Sequence, residues 1–332
     1  MSENKNNKYI SKTSYFKFID SNDEDIADTY KSLYNLKNKI TYPPSNSNEQ
    51  IKFLMNEIYK RKDITHYNNF IKFLTHFMSF NSSFKLFKII YNSPNISDID
   101  ILKYVDNLKK NNKKRDSTEF IYRKISKQQY GLSTINKIMK KMKLILPSDA
   151  KYLDIGCGDG GKTTMFASTI GIISNNIHGT DIETWGPYMK NKALPFDFKL
   201  ILKNGKLDYH DESFDVITAF LTLHHIKNLD LILDEIYRIL KKDGLFIIIE
   251  HDSLDFLDNL LIDIQHTFFA YFYDGNKNFI KNPVYIVYYN LMEWKYILTK
   301  KHKFKLLYSN TLYQTIQMHR RYDNQFYAIF KK

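Results

Sequence analysis

The sequence predicts an α/β protein in which a doubly wound, mostly parallel seven-stranded sheet follows an α-helical region. Three observations predict it. Up to about residue 143 the apolar spacing is helical. From Lys151 onward short apolar runs alternate with helical stretches. A glycine-rich turn, "GCGDGG", stands where the first of those runs meets the helix after it. Alternation of strand and helix is the pattern of a parallel sheet covered by helices on both faces.

Residues 1–20 show no periodicity and read as a flexible N-terminus. Residues 21–145 read as a helical region. "NEQIKFLMNEIYKR" sets Ile51, Leu54, Met55 and Ile58 on one helical face. "NNFIKFLTHFMSF" and "SFKLFKIIY" are further apolar helices. "SDIDILKYVDNLKK" opens with Ser97 as an N-cap and Asp100 three residues on. "YPPSNSN" and "YNSPN" separate them as loops.

Residues 146–332 read as the α/β domain. "KYLDIG" is its first strand, with a helix over Lys162–Ile170 behind it. "NIHGTDI", "FKLILKN" and "SFDVITAF" are the next strands, "NLDLILDEIYRIL" is a helix, and "GLFIIIE" is a fifth strand. The last is continuously apolar, as a strand buried on both faces should be. "FKLLYSN" and "NQFYAIFKK" form an antiparallel edge pair, which makes the last strand antiparallel. Between the fifth strand and that pair, about 254–302, lies an aromatic insertion.

The single cysteine, Cys157, leaves no disulfide within the chain and points to a reducing, cytoplasmic setting. The first residues lack the apolar core of a signal peptide, and no apolar run approaches the ~18 residues of a membrane span. Net charge is +13, and between Leu102 and Lys143 13 basic residues face 3 acidic ones. Such a run is either a polyanion-binding stretch or a solvated lysine-rich helical face.

The turn reads Gly156-x-Gly158-x-Gly160, with Asp154 two residues ahead. The dinucleotide pattern would space its third glycine one position later. Glycine opens backbone angles closed to other residues and lets a ligand approach the chain. An acid at the strand end suits the ammonium of an amino-acid moiety, with the helix start left for its carboxylate. Asp181 ends the second strand, where a carboxylate accepts from a ribose diol and repels a 2′-phosphate. The ligand implied is a nucleoside carrying an amino-acid tail.

"LDIGCGDG", "HGTDI" and "LDYHDESFDVITAFLTLHHIKNLDLILDEIYRILKKDGLFIIIE" together resemble the class I S-adenosylmethionine-dependent methyltransferases, in particular the UbiE-like, type 11 group. The resemblance covers about Lys151–Glu250. It implies S-adenosylmethionine as methyl donor. It implies that Asp154, Gly156, Gly158 and Gly160 shape the loop under the methionine part. Asp181 would hold the ribose, with Ile182 against the adenine. Phe220 and Leu221 would close the pocket near the sulfonium. The family often carries an acid after the third strand to bond the adenine amino group. Here that neighbourhood reads Lys203-Asn204-Gly205, and Asn204 takes the position.

Methyl transfer from a sulfonium is an in-line displacement, so the protein must chiefly hold donor and acceptor aligned. A base is needed only for an acceptor that is protonated at working pH. "IIIEHDS" offers Glu250 and His251 as catalytic candidates, with Asp252 beside them; strand alternation lets at most two of the three face one pocket. His224 and His225 are expected to serve structurally, one ring capping the next helix. His224, His225, His251 and His266 lack a recognisable ligand spacing, so no metal site is expected. Cys157 is expected to be a small filler. Upstream, Tyr122, Arg123, Gln129 and Tyr130 belong to a helix placed as a lid over the donor in many family members. The acceptor stays open between RNA or another polyanion, drawn by the basic run, and a small aromatic or lipid-like molecule. A third reading is a donor-binding, catalytically degenerate subunit that stimulates a partner protein.

Overall fold

The computed structural model describes residues 50–75, 77–93, 95–111, 131–182, 194–202, 205–254, 256–272, 286–311 and 325–332. The expected N-terminal tail, the loop 42–48, the lid stretch 115–130 and Asn204 lie outside these residues. So do parts of the basic run and of the aromatic insertion. Every described residue lies within one compact unit, 42–332.

Four helices open the described chain: α1 Gln50–Arg61, α2 Ile64–Leu74, α3 Phe80–Asn92 and α4 Asp98–Asn111. The starts of α2, α3 and α4 are set by short polar side chains that accept orphan backbone N–H groups. Asp63 accepts from His66 N, and Ser79 accepts from Ser82 N. Ser97 Oγ accepts from Asp100 N at 3.3 Å and donates to the Asp100 carboxylate at 2.7 Å, as the sequence predicts. The face carrying Ile51, Leu54, Met55 and Ile58 is buried.

That core takes in one helix from far along the chain. Helix α8, Phe256–Phe272, places Leu257, Leu260, Leu261, Ile264 and Phe268 among the apolar faces of α1–α4. The Phe268 ring meets Phe73 and Phe77, each at 5.2 Å between centroids. His66 links the same layers, with Nδ1 2.7 Å from Asp63 and Nε2 3.2 Å from Asp258. Part of the aromatic insertion is thus core to the helical region.

Helix α5, residues 131–141, leads to the sheet. Its strands are β1 Tyr152–Ile155, β2 Ile177–Asp181, β3 Asp197–Leu200, β4 Phe214–Phe220, β5 Leu240–His251, β6 Lys305–Thr311 and β7 Gln325–Lys331. Spatial order is β3-β2-β1-β4-β5-β7-β6. The first five pair in parallel, and β7 runs antiparallel to both β5 and β6. The seven strands, the parallel core and the antiparallel edge pair match the sequence reading. Strand β5 is longer than "GLFIIIE": it starts at Leu240, with a register shift against β4 between Phe214 and Val216. Helices α6 (Gly161–Ile170), α7 (Leu229–Ile239) and α9 (Leu291–Tyr296) complete the described α-helices.

Strand order reverses between β1 and β4. The chain leaves β1 toward β2 on one side and leaves β4 toward β5 on the other. The crevice at the carboxyl ends of these two strands is where doubly wound sheets bind ligands. No helix among the described residues is long and apolar enough to cross a membrane.

Candidate active site

The turn from β1 into α6 borders that crevice. Gly156 has φ +70°, and a Cβ there would fall 2.1 Å from Thr222 Cγ2. Glycine at 156 is therefore imposed by the turn after β4, which packs directly on its backbone. At Gly160 a Cβ would meet the Phe196 ring at 2.8 Å. Gly158 differs: its φ is +55°, yet a Cβ there would meet nothing within 4 Å among the described residues. Two glycines answer to packing, and the middle one faces open space.

The end of β2 holds this turn. Thr180 O accepts from Gly156 N and Cys157 N. Asp181 Oδ2 accepts from Gly158 N at 2.9 Å, and Oδ1 accepts from Ile182 N at 2.7 Å. Asp181 is 7% exposed, whereas Ile182 beside it is 69% exposed. Cys157 is buried, and burial pushes its thiol well above the ordinary range, which suits a filler and not a nucleophile.

Asp154 lies beneath the turn. It is 2% exposed and accepts from Thr163 Oγ1 and Thr218 Oγ1, each at 2.6 Å. Burial raises its carboxyl to about 6, with the two hydroxyls acting in the opposite sense. Asp154 thereby ties β1 to α6 and β4. Lys162 Nζ reaches across the start of α6 to Phe220 O at 3.4 Å.

The β4 side is built around Leu221, a non-glycine residue with φ +59°. Such a conformation costs on the order of 1–3 kcal/mol and persists only where the surroundings fix it. Here Leu221 N donates to Ile249 O at 2.7 Å. Thr222 N and Leu223 N both donate to Glu250 Oε1, at 3.0 and 2.8 Å. Phe220, just before, is buried edge-on against Phe166.

Glu250 is 1% exposed, and its Oε2 lies 2.6 Å from His224 Nδ1. Burial raises the Glu250 carboxyl to about 8 and pushes the His224 imidazole well below its usual range. Both shifts favour a pair without net charge, in which carboxyl and imidazole share one proton. The His251 ring sits 4.8 Å from that of His224 and 5.7 Å from that of Tyr288. Asp252 is used elsewhere, accepting from Leu291 N at the start of α9. Glu250 and His251 therefore converge although they are adjacent on the strand, because His224 lies beyond the strand's end.

His224 does not cap the following helix. The N-cap of α7 is Asn228, with no side-chain cap bond. Instead His224 Nε2 stands 3.3 Å from Nε2 of His266 on α8, and the His225 ring adjoins both. Sequence reasoning named these histidines with His251 but set them aside for want of a ligand spacing, since His266 arrives from a helix 42 residues later. It also passed over Thr163, Thr218 and Thr222. Thr218 had a signal: it is the polar residue in the middle of the buried run "FDVITAF".

Residues 153–248 match the family described as "Methyltransferase domain". They are a class I methyltransferase domain of the UbiE-like type. The chain is 34% identical over 114 residues to a demethylmenaquinone methyltransferase of Lactobacillus johnsonii, covering 32% of this chain and 46% of that protein. It is 34% identical over 122 residues to a sterol 24-C-methyltransferase of Candida albicans, covering 35% of this chain and 32% of that one. The chain spans less than half the length of the curated relatives it matches. Among solved structures, a SAM-dependent methyltransferase of Methanosarcina mazei aligns with 57% of this chain and 96% of its own, at 20% identity and a TM-score of 0.42.

The methyl donor of this methyltransferase family is S-adenosylmethionine, and the residues present fit it. The open side of Gly158 is a cradle that any side chain would fill. The Asp181 carboxylate stands at the cradle's edge, and Ile182 offers an exposed apolar side chain next to it.

Proposed function

We propose that the chain transfers the methyl group of S-adenosylmethionine to a small, apolar acceptor of aromatic or lipid-like character. The observation that carries the reading is the space over Gly158 that the described residues leave open, beside Asp181, at the point where the strand order reverses. Gly156, Gly158 and Gly160 shape the bed for the methionine part, on a turn that Asp154 anchors from below. Asp181 takes the ribose hydroxyls and Ile182 lies along the adenine. Phe220 and Leu221 border the sulfur. Asn204 is proposed for the adenine amino group. The donor supplies an electrophilic methyl group, so the remaining work is alignment and the exclusion of water.

Glu250 has both oxygens engaged, one by the 222–223 backbone and one by His224. It acts as a positioning residue that fixes the β4 turn. His251, at the end of β5, is proposed to take a proton from an acidic acceptor. For the acceptor, support comes from the relatives, which are named for demethylmenaquinone and sterols. The aromatic insertion, of which Tyr288 and Tyr289 are buried described members, suits the same class.

The experiment is a transfer assay with methyl-labelled S-adenosylmethionine and separated pools of lipid extract, soluble small molecules, RNA and protein. The reading expects label in the lipid or small-molecule pool, with acceptor binding insensitive to salt. Label in RNA, with salt-sensitive binding, would replace it by the polyanion reading. Donor binding without transfer to any pool would replace it by the reading of a subunit that stimulates a partner.

A further inference from the structure

We propose that His224, His225 and His266 form a binding site for one divalent transition-metal ion of the zinc type. One nitrogen from each ring lies within 4.8 Å of those of the other two. The His224 and His266 Nε2 atoms stand 3.3 Å apart. Zinc–imidazole bonds are about 2.0–2.1 Å, so two ligands on a tetrahedral ion are separated by about 3.3–3.4 Å. That edge already has the spacing of a bound ion. The His225 edges are wider, and its partly exposed ring on the short turn after β4 has to swing inward to complete the set.

The outer nitrogens are held as those of metal-binding histidines are. Such rings give their second N–H to a carboxylate or a backbone carbonyl, which fixes both orientation and tautomer. His224 Nδ1 lies 2.6 Å from Glu250 Oε2. His266 Nδ1 lies 2.8 Å from Ile262 O and 3.1 Å from the Tyr288 hydroxyl. A carbonyl only accepts, so His266 carries its hydrogen on Nδ1 and its lone pair on Nε2, facing His224. Across 3.3 Å the two Nε2 atoms share either one proton or one cation. Binding of the ion displaces that proton to solvent.

Three imidazoles with no carboxylate among them select zinc, cobalt, nickel or copper over magnesium or calcium. Three protein ligands leave a fourth position for water or for an oxygen or nitrogen of a small molecule. The site joins the turn after β4 to α8, and so couples the sheet edge to the helical core. It does not depend on the methyl-transfer reading.

The test uses the full chain after treatment with a chelator, titrated with cobalt(II) and followed by visible absorption, with zinc as competitor. One equivalent per chain, with the intense visible bands of a tetrahedral site, is expected. His225→Ala replaces a half-exposed ring and should leave the circular dichroism unchanged while weakening binding at least tenfold. His266→Ala should do the same, and His210→Ala, on the exposed turn before β4, should change nothing. A folded protein that takes up no cobalt would overturn the proposal. So would binding that survives both His225→Ala and His266→Ala. Donor binding, measured on the same samples, stays intact in either case, which keeps this result separate from the methyltransferase reading.

Discussion

Asp181 accepts the backbone N–H of Gly158 at 2.9 Å, so the last residue of β2 holds the middle of the turn that leaves β1. Two features far apart in sequence thus share one edge of the crevice. The carboxylate also takes Ile182 N, and its remaining lone pairs are available to a ligand's hydroxyls.

Gly156 and Gly158 should respond differently to the same change. Gly156→Ala drives a methyl into Thr222 and should destabilise the fold by about 2–4 kcal/mol, from overpacking plus the left-handed backbone. Thr222→Ala in the same chain should recover part of the loss. Gly158→Ala meets no neighbour, and only the left-handed backbone opposes it, by roughly 1–2 kcal/mol. Denaturant unfolding of the variants measures the difference.

Asp154 predicts a pH dependence. Its carboxyl is raised by burial from 3.8 to about 6, so the folded chain binds the proton more tightly than the unfolded chain. Stability from this group is full below about pH 4 and declines as pH rises through about 6, by at most about 3 kcal/mol. Asp154→Asn should flatten the stability profile across that window. An unchanged slope in the variant would remove Asp154 as its source.

Phe268→Ala empties a ring position between Phe73 and Phe77 and should cost about 3–5 kcal/mol of stability. Because that core lies away from the glycine turn, donor affinity of the folded variant should stay within twofold of wild type. Calorimetry on samples shown to be folded checks this.

His251→Ala should leave donor affinity nearly intact and slow turnover. Glu250→Gln should disturb the turn at Leu221–Leu223, raising KM for the acceptor as well as lowering kcat, since one of its oxygens takes Thr222 N and Leu223 N and the other meets His224. A pH–rate profile that loses its acidic limb only in His251→Ala would assign the proton transfer to it. Identical profiles in wild type and His251→Ala would take that residue out of the reaction.

The sheet was legible because its signals are local. Continuous apolar runs such as "GLFIIIE", glycines at a strand end and an acid closing the next strand each speak within a few residues. The edge pair was legible for the same reason. The helical layer was legible only in part. Ile51, Leu54, Met55 and Ile58 announced a buried face, but nothing in their neighbourhood says that α8, some 200 residues later, covers it. The histidines were named from the sequence, but their proximity was hidden in the same way, since only the docking of α8 brings His266 to His224. Leu221 shows a different limit: its positive φ is fixed by its own bond to Ile249 O and by those of Thr222 and Leu223 to Glu250, and no property of leucine foretells it.

Calorimetric titration with S-adenosylmethionine of the wild-type chain and of Gly158→Val tests the central claim most directly. The wild type should bind one equivalent. The variant, whose fold is checked first because a β-branched residue is strained at φ +55°, should lose binding by a hundredfold or more, since the donor is proposed to lie over Gly158. Equal affinity in the two proteins, or no binding by a folded wild type, would contradict the account.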